Sequence, residues 1–158
     1  MKNLNLFKNF YKNSKYIPYG RQNITSDDIN AVVNVLKSEF LTQGNVLEGF
    51  EKSISIKVNS KYAIAVNSAT SALHIACLAL GLKQGDYLWT SPITFVASAN
   101  CGIYCGAKID FVDIDQNSSL ISIKDLEKKL QKAKLENKLP KIIIPVHLGG
   151  SSCDMKAI

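Results

Sequence analysis

The chain has 158 residues, 46% of them hydrophobic, and a formal net charge of +6. That is apolar material for one substantial core and the composition of a globular protein, not of a disordered or fibrous one. Lys2, Lys8, Lys12 and Lys15, with no acid among residues 1–16, account for most of the charge excess; the other basic residues are scattered, which argues against a nucleic-acid face.

Residues 1–16 read as a solvated, poorly ordered basic leader, followed by an extended entry segment at 16–20. Ser26 has the character of an N-cap, with Asp27 and Asp28 in the first turn of a helix whose apolar residues Ile29, Val32, Val33 and Leu36 recur at helical spacing. Thr42-Gln43-Gly44-Asn45 breaks it, and a second amphipathic helix is expected from about Leu47 to Val58. From there strands and helices alternate. A strand at 62–66 leads to a helix at 69–80 ended by Gly81, a turn at Gln84-Gly85-Asp86, a strand at 87–90 and a helix from Thr94 to about Cys105. A strand at 108–113 follows, then the turn Asp115-Gln116-Asn117-Ser118. Ser122 caps a charged helix over 124–136, with Asp125 at the reciprocal position. The strand at 141–147 is apolar on both faces, as parallel strands between helices are. A helix is expected to open at Cys153, and the chain reads as truncated there. This order predicts a layered α/β protein with ligands at the carboxyl ends of a mostly parallel sheet.

No apolar run reaches the length of a membrane span, and the N-terminus lacks the uninterrupted apolar core of a signal peptide. Cys77, Cys101, Cys105 and Cys153 show no paired-knuckle spacing and read as free thiols of a reducing cytoplasm. Cys101 and Cys105 could share a helix face with His147 as a third ligand. A structural zinc needs four, so no metal site is assigned.

The chemistry concentrates in two turns. Asn67-Ser68-Ala69-Thr70-Ser71 joins a strand to a helix, so it presents free amides, hydroxyls and the positive end of a helix dipole. That suits a phosphate without any lysine or arginine. Read alone, it is first of all an ordinary set of helix caps. The second turn, Ser91-Pro92-Ile93-Thr94-Phe95, places an aromatic past the next strand; by itself Phe95 is more often a core residue than a stacking plate. His74 reads as a core histidine, and His147, ending a strand, as core or site alike. The glycine-rich dinucleotide fingerprint and the phosphate-loop pattern are both missing.

The order of the pieces adds more than any one of them. Asn-Ser-Ala-Thr-Ser-Ala-Leu (67–73), Ser-Pro-Ile-Thr-Phe-Val-Ala-Ser-Ala-Asn (91–100), Phe-Val-Asp-Ile-Asp (111–115) and Pro-Val-His-Leu-Gly-Gly (145–150) together closely resemble the DegT/StrS family of sugar aminotransferases. Ile-Pro-Tyr-Gly-Arg-Gln (17–22) and Phe-Leu-Thr-Gln-Gly (40–44) resemble the branch that aminates a UDP-linked 4-keto-6-deoxy sugar on the way to pseudaminic acid.

The resemblance implies a fold-type-I transferase dependent on pyridoxal 5'-phosphate. Residues 17–158 would be its N-terminal segment and the first part of its large domain. It implies cofactor-binding roles for Ser68, Ala69, Thr70 and Ser71 at the phosphate, for Phe95 against the ring, and for Asn100 and His147 as pocket residues. Tyr19, Thr42 and Gln43 would line the sugar side. Glutamate is the implied amino donor and a homodimer the implied assembly, with no nucleic acid or membrane partner. The family often has Gln after the glycine where Ser151 stands here. The anchoring lysine, and the acid that keeps the ring nitrogen protonated, are implied to lie beyond residue 158, which leaves no catalytic residue in this chain and predicts that it is inactive alone. Two alternatives stay open: a relative acting at C3 or as a dehydratase, and a non-catalytic phosphate- or nucleotide-binding α/β domain.

Overall fold

A computed structural model describes residues 20–158; the predicted basic leader and Tyr19 lie outside the described residues. The chain divides into two compact units, 1–63 and 64–158.

In the first unit α1 spans Ser26–Leu36. Its N-cap is Thr25, one residue before the predicted Ser26. The Thr25 amide and hydroxyl both donate to the Asp28 carboxylate, at 2.7 and 2.8 Å, and the Asp28 amide returns to the Thr25 hydroxyl at 3.4 Å. This closes a capping box and holds the Asp28 carboxyl below its usual range. The predicted apolar stripe is present but exposed along its length. The chain turns at Gln43, whose φ is +56°, and α2 spans Asn45–Lys57, two residues ahead of expectation.

In the second unit three parallel strands, β1 (Tyr87–Thr90), β2 (Lys108–Phe111) and β3 (Ile142–Ile144), lie in the order β2-β1-β3. Leu88 faces Ile109 on one side and Ile142 on the other; Thr90 faces Phe111 and Ile144. The helices are α3 (Ala69–Ala79), α4 (Ala97–Tyr104) and α5 (Ile123–Leu135), and a short 3-10 turn covers Leu148–Gly150. Strand side chains alternate between faces. Leu88, Ile109, Ile142 and Ile144 pack with Cys77 of α3, Leu82 and Cys101 of α4. Trp89 and Ile143 pack with Val112, Ile121, Leu126, Ala133 and Cys153.

The predicted strand at 62–66 is not a strand of this sheet. β1 keeps its predicted bounds, whereas β2 stops at Phe111 and β3 runs only from Ile142 to Ile144, shorter than the predicted 108–113 and 141–147. Pro145 has no N–H to give and ends β3 at Ile144. The helix expected from Thr94 starts at Ala97, because the Thr94 hydroxyl pairs with the Ser98 hydroxyl at 2.8 Å while Ser98 N–H closes a tight turn onto Phe95. The helix expected to open at Cys153 is a single turn capped by Asp154, whose carboxylate accepts from the amides of Lys156 and Ala157. Gly81 stands just past α3 with φ +75°. Its amide returns to Leu78 and that of Leu82 to Cys77, so both groups of the cap are satisfied and Leu82 folds back onto Cys77 in the core.

Candidate functional site

β2 lies on one side of β1 and the next connection crosses to place β3 on the other, so the strand order reverses between β1 and β3 while all three strands stay parallel. In open α/β sheets ligands sit at the carboxyl ends of the strands flanking such a reversal. Residues past those ends are Ser91–Phe95 after β1 and Pro145–Gly150 after β3. α3 reaches β1 through a short loop at its C-terminus and packs on the sheet through Leu73 and Cys77, which turns its N-terminus toward the same end.

At that N-terminus Ser68 is the N-cap, and its hydroxyl accepts the Ser71 amide at 3.2 Å. The Ser71 hydroxyl donates to Asn67 Oδ1 at 2.7 Å and lies 3.1 Å from the Ser68 hydroxyl. Ser68, Ser71 and Asn67 therefore satisfy one another and fix the turn. The amides of Ala69 and Thr70 and the hydroxyl of Thr70 are left with no partner among the described residues. The first turn of α3 carries no acid. Nothing competes there with a ligand oxygen, and the helix dipole favours negative charge.

Phe95 lies ahead of α4 and is 74% exposed, so it is a plate held in solvent rather than a core residue. Asn100 is half-buried within α4. His74 is half-buried and meets the Tyr104 ring edge-on, with centroids 5.3 Å apart, which agrees with a packing role. His147 stands at the head of the 3-10 turn after β3, and its Nδ1 accepts the Cys153 amide at 3.0 Å. Thr42 and Gln43 belong to the other unit, where Gln43 lines an open groove of about 760 Å³ with Val35, Phe40, Leu41 and Phe50. Among the described residues no three histidine, cysteine or acidic side chains converge to hold a metal. The Cys77 thiol is pushed up to about 12 by burial first and by Cys101 second, which keeps it an inert core residue.

Two residues of the turns named from the sequence carry features that the sequence assigned to neither. Ser91 is 1% exposed and its hydroxyl has no partner among the described residues, immediately past the end of β1. A serine between an apolar strand and a proline is the signal that marks it. Asn67 orients the Ser71 hydroxyl; only its place just before the N-cap hinted at that.

A model of the DegT/DnrJ/EryC1/StrS aminotransferase family matches residues 22–158. The spore coat polysaccharide biosynthesis protein SpsC of Bacillus subtilis is 40% identical over 147 residues, which are 93% of this chain and 36% of that protein. A UDP-4-amino-4,6-dideoxy-N-acetyl-beta-L-altrosamine transaminase of Campylobacter jejuni is 42% identical over 142 residues, 90% of this chain and again 36% of the relative. Among solved structures, PseC of Helicobacter pylori, an aminotransferase of pseudaminic acid biosynthesis, superposes with a TM-score of 0.79 at 32% identity, covering 91% of this chain and 38% of its own. A sugar aminotransferase of Streptococcus pneumoniae in its PMP form gives a TM-score of 0.79 at 29% identity, over 89% of this chain and 34% of its own. The chain thus spans little more than a third of the length of these relatives. With the family model covering nearly all the described residues, the chain belongs to the DegT/DnrJ/EryC1/StrS aminotransferase family.

Proposed function

We propose that this chain is the N-terminal part of a sugar aminotransferase dependent on pyridoxal 5'-phosphate, and that α3 holds the phosphate of that cofactor. The observation that carries the reading is the set of unpaired donors at Ala69 and Thr70, beside a turn whose other polar groups are already satisfied. A donor-only, acid-free helix start fits a phosphate dianion, and the exposed Phe95 ring fits a flat heterocycle. When bound, the cofactor supplies an electron-withdrawing ring that stabilises negative charge on the substrate carbon. The residues of this chain hold and orient it: Ser68 and Ser71 shape the cradle, Thr70 adds a hydroxyl, and Asn100 and His147 complete the pocket. The lysine and acid that the chemistry also needs would come from the remaining two-thirds of the protein.

The substrate we infer is a UDP-linked 4-keto-6-deoxy-hexosamine aminated at C4, with glutamate as donor and Tyr19, Thr42 and Gln43 toward the sugar. The support is the likeness to the Campylobacter transaminase and to PseC. A homodimer working in the cytoplasm, where the four thiols stay reduced, completes the proposal. The test is incubation of the full-length protein with the 4-keto sugar nucleotide, glutamate and cofactor. A 4-amino sugar is the expected product; no amine, or one at C3, overturns the assignment.

A further inference from the structure

The loop after β3 carries a second device. His147 and Cys153, six residues apart, are brought together by a reversal in which Gly149 and Gly150 both take positive φ, +62° and +86°. Side chains rarely adopt those values, so two glycines make the reversal possible. Cys153 anchors the far end. It is 5% exposed in the core with Trp89, Val112 and Leu126, and its thiol donates to the Val146 carbonyl at 3.2 Å. Its amide donates to His147 Nδ1 at 3.0 Å. A ring nitrogen that accepts an amide proton carries no proton of its own, so the neutral imidazole must carry its hydrogen on Nε2. His147 is exposed, and Nε2 has no partner among the described residues.

We propose that Cys153 is a positioning residue that fixes His147 as an Nε2–H donor to an acceptor oxygen of the bound cofactor. The inference rests on the cofactor reading above and adds the tautomer, the donating atom and the residue that sets them. A histidine that merely closed the loop would need only its acceptor at Nδ1. An outward donor, held at the carboxyl end of β3 beside the reversal in strand order, is what a ligand oxygen uses.

The experiment uses the full-length protein, with histidine nitrogens labelled for long-range nitrogen–proton NMR, and pyridoxal 5'-phosphate as the probe. The His147 Nδ1 signal is expected to be that of an unprotonated nitrogen before cofactor is added. Two variants then separate the roles of the ring. His147→Asn keeps an acceptor near the Nδ1 position and should fold normally but bind cofactor roughly ten-fold more weakly, the size of one lost hydrogen bond. His147→Gln keeps a donor near the Nε2 position and should retain affinity within about three-fold. A proton on Nδ1, or equal affinities for the two variants, overturns the inference alone. Failure of the unmutated protein to bind the cofactor overturns the cofactor reading and the inference with it.

Discussion

The hydroxyl of Thr90 donates to the main-chain oxygen of Ile144 at 2.9 Å, although the two residues are 54 apart in sequence. They are partners in the β1–β3 register, so the bond ties the carboxyl ends of the two strands that flank the candidate site. Thr90 is fully buried. Thr90→Val keeps the shape and removes the donor, and should cost about 1 kcal/mol. Urea unfolding measures it; an unchanged midpoint would show the hydroxyl to be idle.

Gly102 sits where α4 presses on the sheet. A methyl group built there would lie 2.5 Å from Ile109 Cδ1 and 3.3 Å from Leu88 Cβ. The isoleucine tip can swing away, but the Leu88 Cβ is fixed to its strand. Gly102→Ala should therefore destabilise by about 1–3 kcal/mol, despite the better helix propensity of alanine. A stabilised variant in the same unfolding assay would contradict the close approach.

Thr70 and Phe95 separate binding from folding. Both are proposed to touch the cofactor, and Phe95 is already mostly in solvent. Thr70→Val should weaken cofactor binding by about 1.5–3 kcal/mol, the range for a hydrogen bond to a charged group. Phe95→Ala should also weaken it while leaving the melting temperature nearly unchanged. Cofactor titration by absorbance, beside a thermal melt, checks both, and wild-type affinity in both variants would remove these residues from the site.

Asp110 supplies a pH dependence. Burial works to raise its carboxyl, but hydrogen bonds from Lys129, 2.7 Å away, and from the Phe111 amide outweigh it and hold the group below its usual range. A carboxyl depressed in the folded state contributes stability above its unfolded value near pH 4, and that contribution is lost as the pH falls through the folded value. The side chain is 51% exposed, so solvent screening limits the effect to at most about 1 kcal/mol. Asp110→Asn should lose less stability than the parent when acidified from pH 6 to pH 3. Parallel losses in urea titrations at the two pH values would contradict the pairing.

Much of this arrangement is legible in the residues themselves. The turn at 67–71 is local: Ser68 caps α3 as a short hydroxyl before an apolar run does, and the order of motifs around it carries the family. Helix ends were readable wherever a glycine such as Gly81 stood. Less legible was whatever depends on distant partners. The 62–66 segment has a strand's composition, yet strand membership needs a ladder partner from elsewhere in the chain, and it pairs with none of the three strands. Thr25 displaced Ser26 as cap because Asp28 answers Thr25 from the third position, where Ser26 would meet Ile29, so the spacing itself carried the distinction. The His147–Cys153 bond escaped notice altogether, since a backbone amide leaves no mark in the sequence.

Leu88 and Trp89 are neighbours in the chain, yet they answer to different halves of the protein. Leu88 belongs with α3 and α4, which carry the phosphate turn and follow Phe95; Trp89 belongs with α5 and the buried Cys153 that steers His147. One four-residue strand is thus a partition wall. A change of side-chain volume on its α3 side should be felt first by the turn that opens at Ser68, and one on its α5 side by the loop of His147. The two ends of the proposed pocket should therefore be open to change one at a time, without rebuilding the sheet between them.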